Sequence, residues 1–148
     1  MFKNILVPVD GTELARTAVE NACRFAKDTG ARLTFYFAKF EYFPSYIGGE
    51  VVLADATVDE ALTAAMESRA EAILDEAGQI AGDAGVGFDK ICDFCNSPHT
   101  GIIAAANRQG CDLIFMASHG RRGASALLLG SETQKVLTHC KLPVLVYR

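Results

Sequence analysis

This sequence has no apolar stretch approaching the roughly 18 to 20 residues that a helix needs to span a bilayer, so no membrane crossing is expected. It also lacks a signal-peptide pattern: Met1-Phe2-Lys3-Asn4 leads directly into a strand-like segment, and the chain is expected to stay in the cytoplasm. Basic residues are not in excess. Against 18 Asp and Glu stand 14 Lys and Arg, a formal charge of −4, which argues against nonspecific binding to nucleic acid or to an anionic membrane surface. There is no internal repeat, no low-complexity tract and no interdomain linker, and 148 residues leave no room for a second independent core. One domain, residues 1–148, is expected. The five cysteines, Cys23, Cys92, Cys95, Cys111 and Cys140, are odd in number and scattered through a chain large enough to fold without disulfides. They read as reduced thiols, most of them small core hydrophobes.

What is present is an alternation of short apolar runs with helical periodicity, the mark of βαβ units around a parallel sheet. Ile5 to Val9 forms the first strand, and Pro8, which lacks a ladder donor, belongs near its C-terminal end. From Thr12 to Thr29, Ala15, Ala18, Val19, Ala22, Cys23 and Ala26 recur at three- and four-residue steps along one helix face, and Gly30 closes the helix. Leu33 to Ala38 is an aromatic-rich strand, followed by a loop from about Glu41 to Ala56. Thr57-Val58-Asp59-Glu60 reads as a capping box, and Leu62, Met66, Ala70, Ile73, Ala77 and Ile80 carry a helical stripe towards Ala84. A third strand falls within Val86 to Phe94. Ser97-Pro98 then opens a helix with a capping hydroxyl and a proline at its first position; Ile102, Ile103 and Ala106 face inward and Gly110 ends it. Leu113 to Ala117, a continuous apolar run, is a central strand covered on both faces. A helix from about Ser131 to Cys140 and a last strand, Val144 to Tyr147, complete an expected set of five strands and four helices.

The most informative stretch is the loop from Ala117 to Ser131, between an apolar strand and a helix. In doubly wound sheets ligands bind outside the C-terminal ends of the strands, where strand order reverses. The loop has neither Walker nor Gly-x-Gly-x-x-Gly spacing. Two readings remain. Its small residues let backbone amides approach an anion at the next helix N-terminus; or Gly120 and Gly123 only turn the chain and Ser131 with Gln134 forms a capping box.

Gly120, nine further residues and Gly130-Ser131 resemble the Gly-x2-Gly-x9-Gly-Ser/Thr signature of the universal stress protein family, with Ala117 in place of the first glycine. Val7-Pro8-Val9-Asp10-Gly11-Thr12-Glu13 is similar to the family's first strand and turn, and Leu142-Pro143-Val144-Leu145-Val146 to its final strand. The resemblance runs from end to end. It implies a five-stranded parallel sheet in order 3-2-1-4-5 with helices on both faces, an adenine nucleotide alpha hydrolase-like fold. It also implies ATP with Mg²⁺ at the switch point: Asp10 at the adenine and ribose end, the main chain of Ala38 on the adenine, and the loop with Gly120, Gly130 and Ser131 on the phosphates and metal. Ala117 belongs to that loop, where its methyl group replaces a hydrogen. The implied role is regulatory or stress-protective, in a homodimer formed through the last strand; hydrolysis, if any, is slow, since no residue stands out as a general base.

Other candidates have plainer readings. Cys92 and Cys95 with His99 suggest a metal or redox site, but in a strand residues three apart point to opposite faces with Cα atoms about 10 Å apart, too far for a disulfide. Asp10 also suits a helix N-terminus as a simple cap, and His139 a helix C-terminus. His119 either orients the loop or faces the phosphates, and Arg121 and Arg122 are solvated or neutralise phosphate. Two competing classes stand beside nucleotide binding. One is a nucleotide-free homodimeric module that recruits a protein partner, favoured by Ala117; the other is an enzyme on an adenylated substrate, which rests on fold analogy alone.

Overall fold

The computed structural model describes residues 1–40, 56–120 and 129–148. The expected loop at residues 41–55, the side chains of the expected capping box at Thr57, and Arg121, Arg122 and Gly123 lie outside them.

Ile5, Leu6 and Val7 are wholly buried in β1 (Asn4–Pro8), as a strand must be when it has neighbours on both edges and helices on both faces. Its side chains alternate. Ile5, Val7 and Val9 enter one core with α1 (Glu13–Thr29) and α2 (Ala56–Ala84), and Leu6 enters a second core with α3 (Pro98–Arg108) and Val136 of α4 (Ser131–His139). With β2 (Arg32–Phe40), β3 (Phe88–Cys95), β4 (Leu113–Ala117) and β5 (Val144–Tyr147), the strands make one five-stranded parallel sheet in order β3-β2-β1-β4-β5. The doubly wound fold expected from the sequence is the one observed.

Pro8 is the last residue of β1, paired with Tyr36. Even-numbered residues of β1 turn their backbone groups towards β4, as Asn4 O does in accepting from Asp112 N–H, whereas Val9 N–H donates to Tyr36 O at 2.9 Å on the β2 side. The donor that Pro8 lacks would therefore face β4, whose registered pairing with β1 stops at Leu6 and Ile114. The ladder loses nothing.

Three expectations about the helices need correction. In α2 the buried stripe is Ala70, Leu74, Ala77 and Ala81, with Ile73 and Ile80 partly buried beside it, while Leu62 is 42% exposed. A helix of 29 residues is about 43 Å long, and the strands it covers run about 27 Å, so roughly its first third has no sheet beneath it. In α3 the buried face is Gly101, Ile102, Ala105 and Ala106; Ile103 is only half-buried. Ser97 occupies the N-cap of α3 but makes no capping bond, its hydroxyl lying 2.9 Å from Thr100 Oγ1. The α1 reading holds: Ala15, Ala18, Val19, Ala22, Cys23 and Ala26 are its buried face, and Gly30 takes the left-handed φ of 69° that ends it.

Cys92 and Cys95 both lie in β3 and turn to opposite sides, Cys92 to the α1–α2 core and Cys95 to Tyr36 and Gly101. Burial pushes the Cys23 and Cys111 thiols up to about 11, as expected of inert core cysteines. No described helix is long and apolar enough to cross a membrane.

Gly101 is where α3 comes closest to the sheet. A Cβ there would collide with Tyr36 Oη and stand 3.1 Å from the Cβ and Sγ of Cys95, and Tyr36 is wholly buried among packed neighbours. We expect Gly101→Ala to lower stability by about 1–3 kcal/mol, read as a lower urea midpoint at unchanged slope. A midpoint equal to the parent's would show that α3 lifts off the sheet at no cost.

Candidate functional site

The chain leaves β1 through Val9-Asp10-Gly11-Thr12. Asp10 Oδ1 accepts from Thr12 N–H at 3.0 Å and from the Thr12 hydroxyl at 2.7 Å, and Thr12 Oγ1 in turn accepts from Ala15 N–H at 3.2 Å as the N-cap of α1. Gly11 permits this turn with φ of 80°. The plain reading of Asp10, a carboxylate that orders the start of a helix, is therefore realised. The same side chain also meets the second loop: a Cβ on Gly120 would stand 2.8 Å from Asp10 Oδ2.

That second loop leaves β4 and returns at Gly130. Ser118 N–H donates to Tyr147 O at 2.7 Å, and Gly130 N–H donates to Ser118 O at 2.8 Å, which closes the base of the loop. The buried Thr133 hydroxyl lies 3.2 Å from both Ala117 O and Ser118 O. A Cβ on Gly130 would meet Ser118 O at 3.2 Å and His119 Cα at 3.3 Å, so the two ends of the loop touch backbone to backbone. Gly130 is also the N-cap of α4 and Ser131 its first helical residue; Gln134 Nε2 donates to Leu129 O. The Ser131–Gln134 capping box is thus not formed. The first helical bond, from Gln134 N–H to Gly130 O, leaves the amides of Ser131, Glu132 and Thr133 ahead of it, where a helix end favours negative charge.

Between these loops, beyond the C-terminal ends of β1 and β4, lies a cleft of about 340 Å³. Asp10, Ala38, Ala117, Gly120, Gly130 and Ser131 all line it. Its apolar lining comes from Pro8, Tyr36, Pro98, Ile102 and Met116, and its polar lining from the glycine backbones, Ser131, Thr133, His119 and Glu132. Sequence reasoning took Ile102 as an inward-facing residue and Tyr36 only as part of an aromatic-rich strand. They are interior and also form the floor of the cleft, which no periodicity reveals. A hollow of about 220 Å³ between α1 and α2 has none of the residues of the loop after β4.

Two polar arrangements flank the glycines. His119 Nδ1 lies 2.8 Å from Ser118 Oγ, so the histidine is tied to its own loop, and its Nε2 is buried with no partner among the described residues. Glu132 reaches across to α3: its Oε2 accepts from His99 N–H at 2.9 Å and lies 3.0 Å from His99 Nδ1, while Oε1 accepts from Lys135 Nζ at 2.7 Å. The cap that Ser97 does not supply to α3 comes from here. Burial pushes the Glu132 carboxyl up, but the hydrogen bonds from Lys135 and from the backbone and ring of His99 outweigh it and hold the group below the usual carboxylate range. The signal in the sequence was only an acid in the first turn of a helix.

The sequence model of the universal stress protein family matches residues 1–148. A universal stress protein of Thermus aquaticus is 34% identical over 148 residues, covering 100% of both chains. Among solved structures, universal stress protein UspA of Lactobacillus plantarum superposes with a TM-score of 0.83 at 24% identity, over 99% of this chain and 97% of that one. The universal stress protein of Archaeoglobus fulgidus in complex with dAMP superposes with a TM-score of 0.63 at 19% identity, over 99% of this chain and 98% of that one.

The Glu132 clasp has a pH signature. A carboxylate whose pKa is depressed by folding stabilises the fold above its unfolded pKa, and that contribution disappears as pH falls through the folded value. Glu132→Gln should therefore be less stable than the parent at pH 7, with the gap narrowing as the pH falls below about 4, in paired urea titrations. A gap that does not change with pH would mean that the charge on Glu132 contributes nothing.

Proposed function

This chain belongs to the universal stress protein family, and we propose that it works as one such domain that binds ATP, as the Mg²⁺ complex, in the cleft between the ends of β1 and β4. The observation that carries this reading is the convergence of Asp10, Ala38 and the Gly120 and Gly130-Ser131 turns, from three separate parts of the chain, on one cleft whose lining combines apolar side chains with main-chain amides and hydroxyls. Adenine belongs against the apolar side chains of Tyr36, Ile102 and Met116, with the main chain of Ala38 at its edge. Asp10 faces the ribose. The backbones of Gly120 and Gly130, the Ser131 hydroxyl and the first amides of α4 take the phosphates.

Ala117, the departure from the family signature, is only 8% exposed and packs with the α1–α2 core. That packing supports the view that its methyl group does not crowd a phosphate. The complex of the Archaeoglobus fulgidus protein with dAMP supports an adenine nucleotide as the ligand class. Among the described residues no group of three or more His, Cys, Asp or Glu is placed to hold a metal, so Mg²⁺ would take most of its ligands from phosphate and water, with the Ser131 hydroxyl in reach. The role proposed is regulatory or stress-protective binding in the cytoplasm, with hydrolysis slow at most.

Calorimetry with ATP and Mg²⁺ should show saturable binding. Gly130→Val should weaken it by at least about tenfold, because its side chain has Ser118 O and the His119 backbone at contact distance and must turn towards the phosphates. A parent protein that binds no ATP at millimolar concentration would remove this reading and favour the nucleotide-free interaction module.

We also propose a homodimer through β5. Among the described residues it is an edge strand, hydrogen-bonded only to β4, and Val144-Leu145-Val146-Tyr147 carries no charge. The opposite edge, β3, is studded with ion pairs, Arg32 to Asp89, Lys90 to Asp75 and Arg108 to Asp93. Charged edges resist strand addition and apolar ones invite it, and a two-fold axis would satisfy two β5 edges at once. Val146→Pro would disrupt that pairing. Sedimentation should show a dimer for the parent and a shift to monomer for the variant; a parent that is monomeric at tens of micromolar excludes the arrangement.

A further inference from the structure

Among the described residues that line the cleft there are two carboxylates, Asp10 and Glu132, and neither lysine nor arginine. Glu132 directly follows Ser131, so its charge stands beside any phosphate held at the start of α4. Among the described residues the cation next to it does not offset it for a ligand: Lys135 Nζ is bound to Glu132 Oε1 at 2.7 Å, one turn along the helix surface. Nor is the carboxylate free to become a metal ligand. Its other oxygen holds the backbone N–H and the ring of His99, and turning away would leave that amide of α3 without an acceptor, since Ser97 does not cap it.

We infer that Glu132 is a charge-selecting residue of this cleft: it penalises a metal-free triphosphate and admits the Mg²⁺ complex, whose charge is lower. The inference rests on the nucleotide reading above. Its physical basis is Coulombic. A phosphate at Gly130 and Ser131 and the Glu132 carboxylate share a partly buried rim, where two like charges several ångströms apart repel enough to change affinity by about fivefold to tenfold after partial compensation by Lys135. Mg²⁺ cancels about half of the triphosphate charge and weakens that repulsion accordingly, so ATP binding comes to depend on the cation. The carboxylate also lies below the usual range for its pKa, which keeps the selector charged throughout the physiological range.

The role of Glu132 as the cap of α3 would change the affinity of every ligand alike, whereas a charge selector acts in proportion to ligand charge. Calorimetry should compare the parent and Glu132→Gln, which keeps an acceptor for His99 N–H, with three ligands: ATP with excess Mg²⁺, ATP with EDTA, and adenosine. We expect Glu132→Gln to bind metal-free ATP about fivefold to tenfold more tightly than the parent, to gain less with Mg²⁺, and to bind adenosine as the parent does. Added salt should shrink the gain. Lys135→Gln, which leaves the carboxylate uncompensated, should shift metal-free ATP the other way, and it carries the test if Glu132→Gln folds poorly. An unchanged ratio of the Mg²⁺ and EDTA affinities in these variants overturns the selector and leaves nucleotide binding intact. A loss confined to the Mg²⁺ arm makes Glu132 a metal ligand and also overturns it. A parent that binds none of the three ligands removes the nucleotide reading, and this inference with it.

Discussion

Beyond Leu6 and Ile114 the registered pairing of β1 and β4 ends, although both strands run on, to Pro8 and Ala117. The connections after them leave for opposite faces of the sheet, one into α1 and the other towards α4, so the strand ends part. Everything proposed about this protein depends on that separation. It opens a cleft whose floor is made of side chains that are also core, Tyr36, Ile102 and Met116, and whose walls are two turns of main chain. The proline that ends β1 is part of the same geometry, because the donor it lacks would point at a strand that is no longer there to accept.

Small residues are needed where the two turns meet. Gly120 lies against Asp10, and Gly130 lies against the carbonyl of Ser118, at distances that leave no room for a side chain to turn inward. The loop after β4 is fastened at its base by Gly130 N–H on Ser118 O and by the Thr133 hydroxyl on two carbonyls, and the base is fastened to the sheet edge by Ser118 N–H on Tyr147 O. A rigid base of this kind holds backbone amides in one place before any ligand arrives, which lowers the cost of ordering them on binding.

Charge is handled by exchange between helices. The end of α3 that opens on the cleft begins with a proline, and its next amide is satisfied by Glu132 of α4, a residue 33 positions away. One carboxylate thereby caps one helix, joins it to another and places a negative charge at the rim of the cleft. These roles pull in different directions for an anionic ligand, and a divalent cation resolves the conflict in the reading developed above.

The order of strands and helices, the αL glycine that ends α1, the buried face of α1 and the placement of Pro8 were legible in the sequence, because apolar periodicity and turn stereochemistry are properties of neighbouring residues. The resemblance at Asp10 and at Gly120 with Gly130-Ser131 supplied the strand order, which local pattern only allows. What local pattern misjudged has a common cause. Leu62 continues a perfect helical stripe yet stands exposed, because the helix outruns the sheet; Gly130 rather than Ser131 caps α4, because the loop closes on Ser118; and Ile103 yields its inward place to Ala105, because Tyr36 and Cys95 set how α3 is turned. By itself the chain's sequence determined which elements form and where they begin and end to within a few residues. Only the tertiary structure decided which side chains of those elements share the cleft and that Glu132 spends its carboxylate on His99, since such contacts depend on the separation of strand ends and the rotation of helices about their axes, quantities set by packing between segments far apart in the chain.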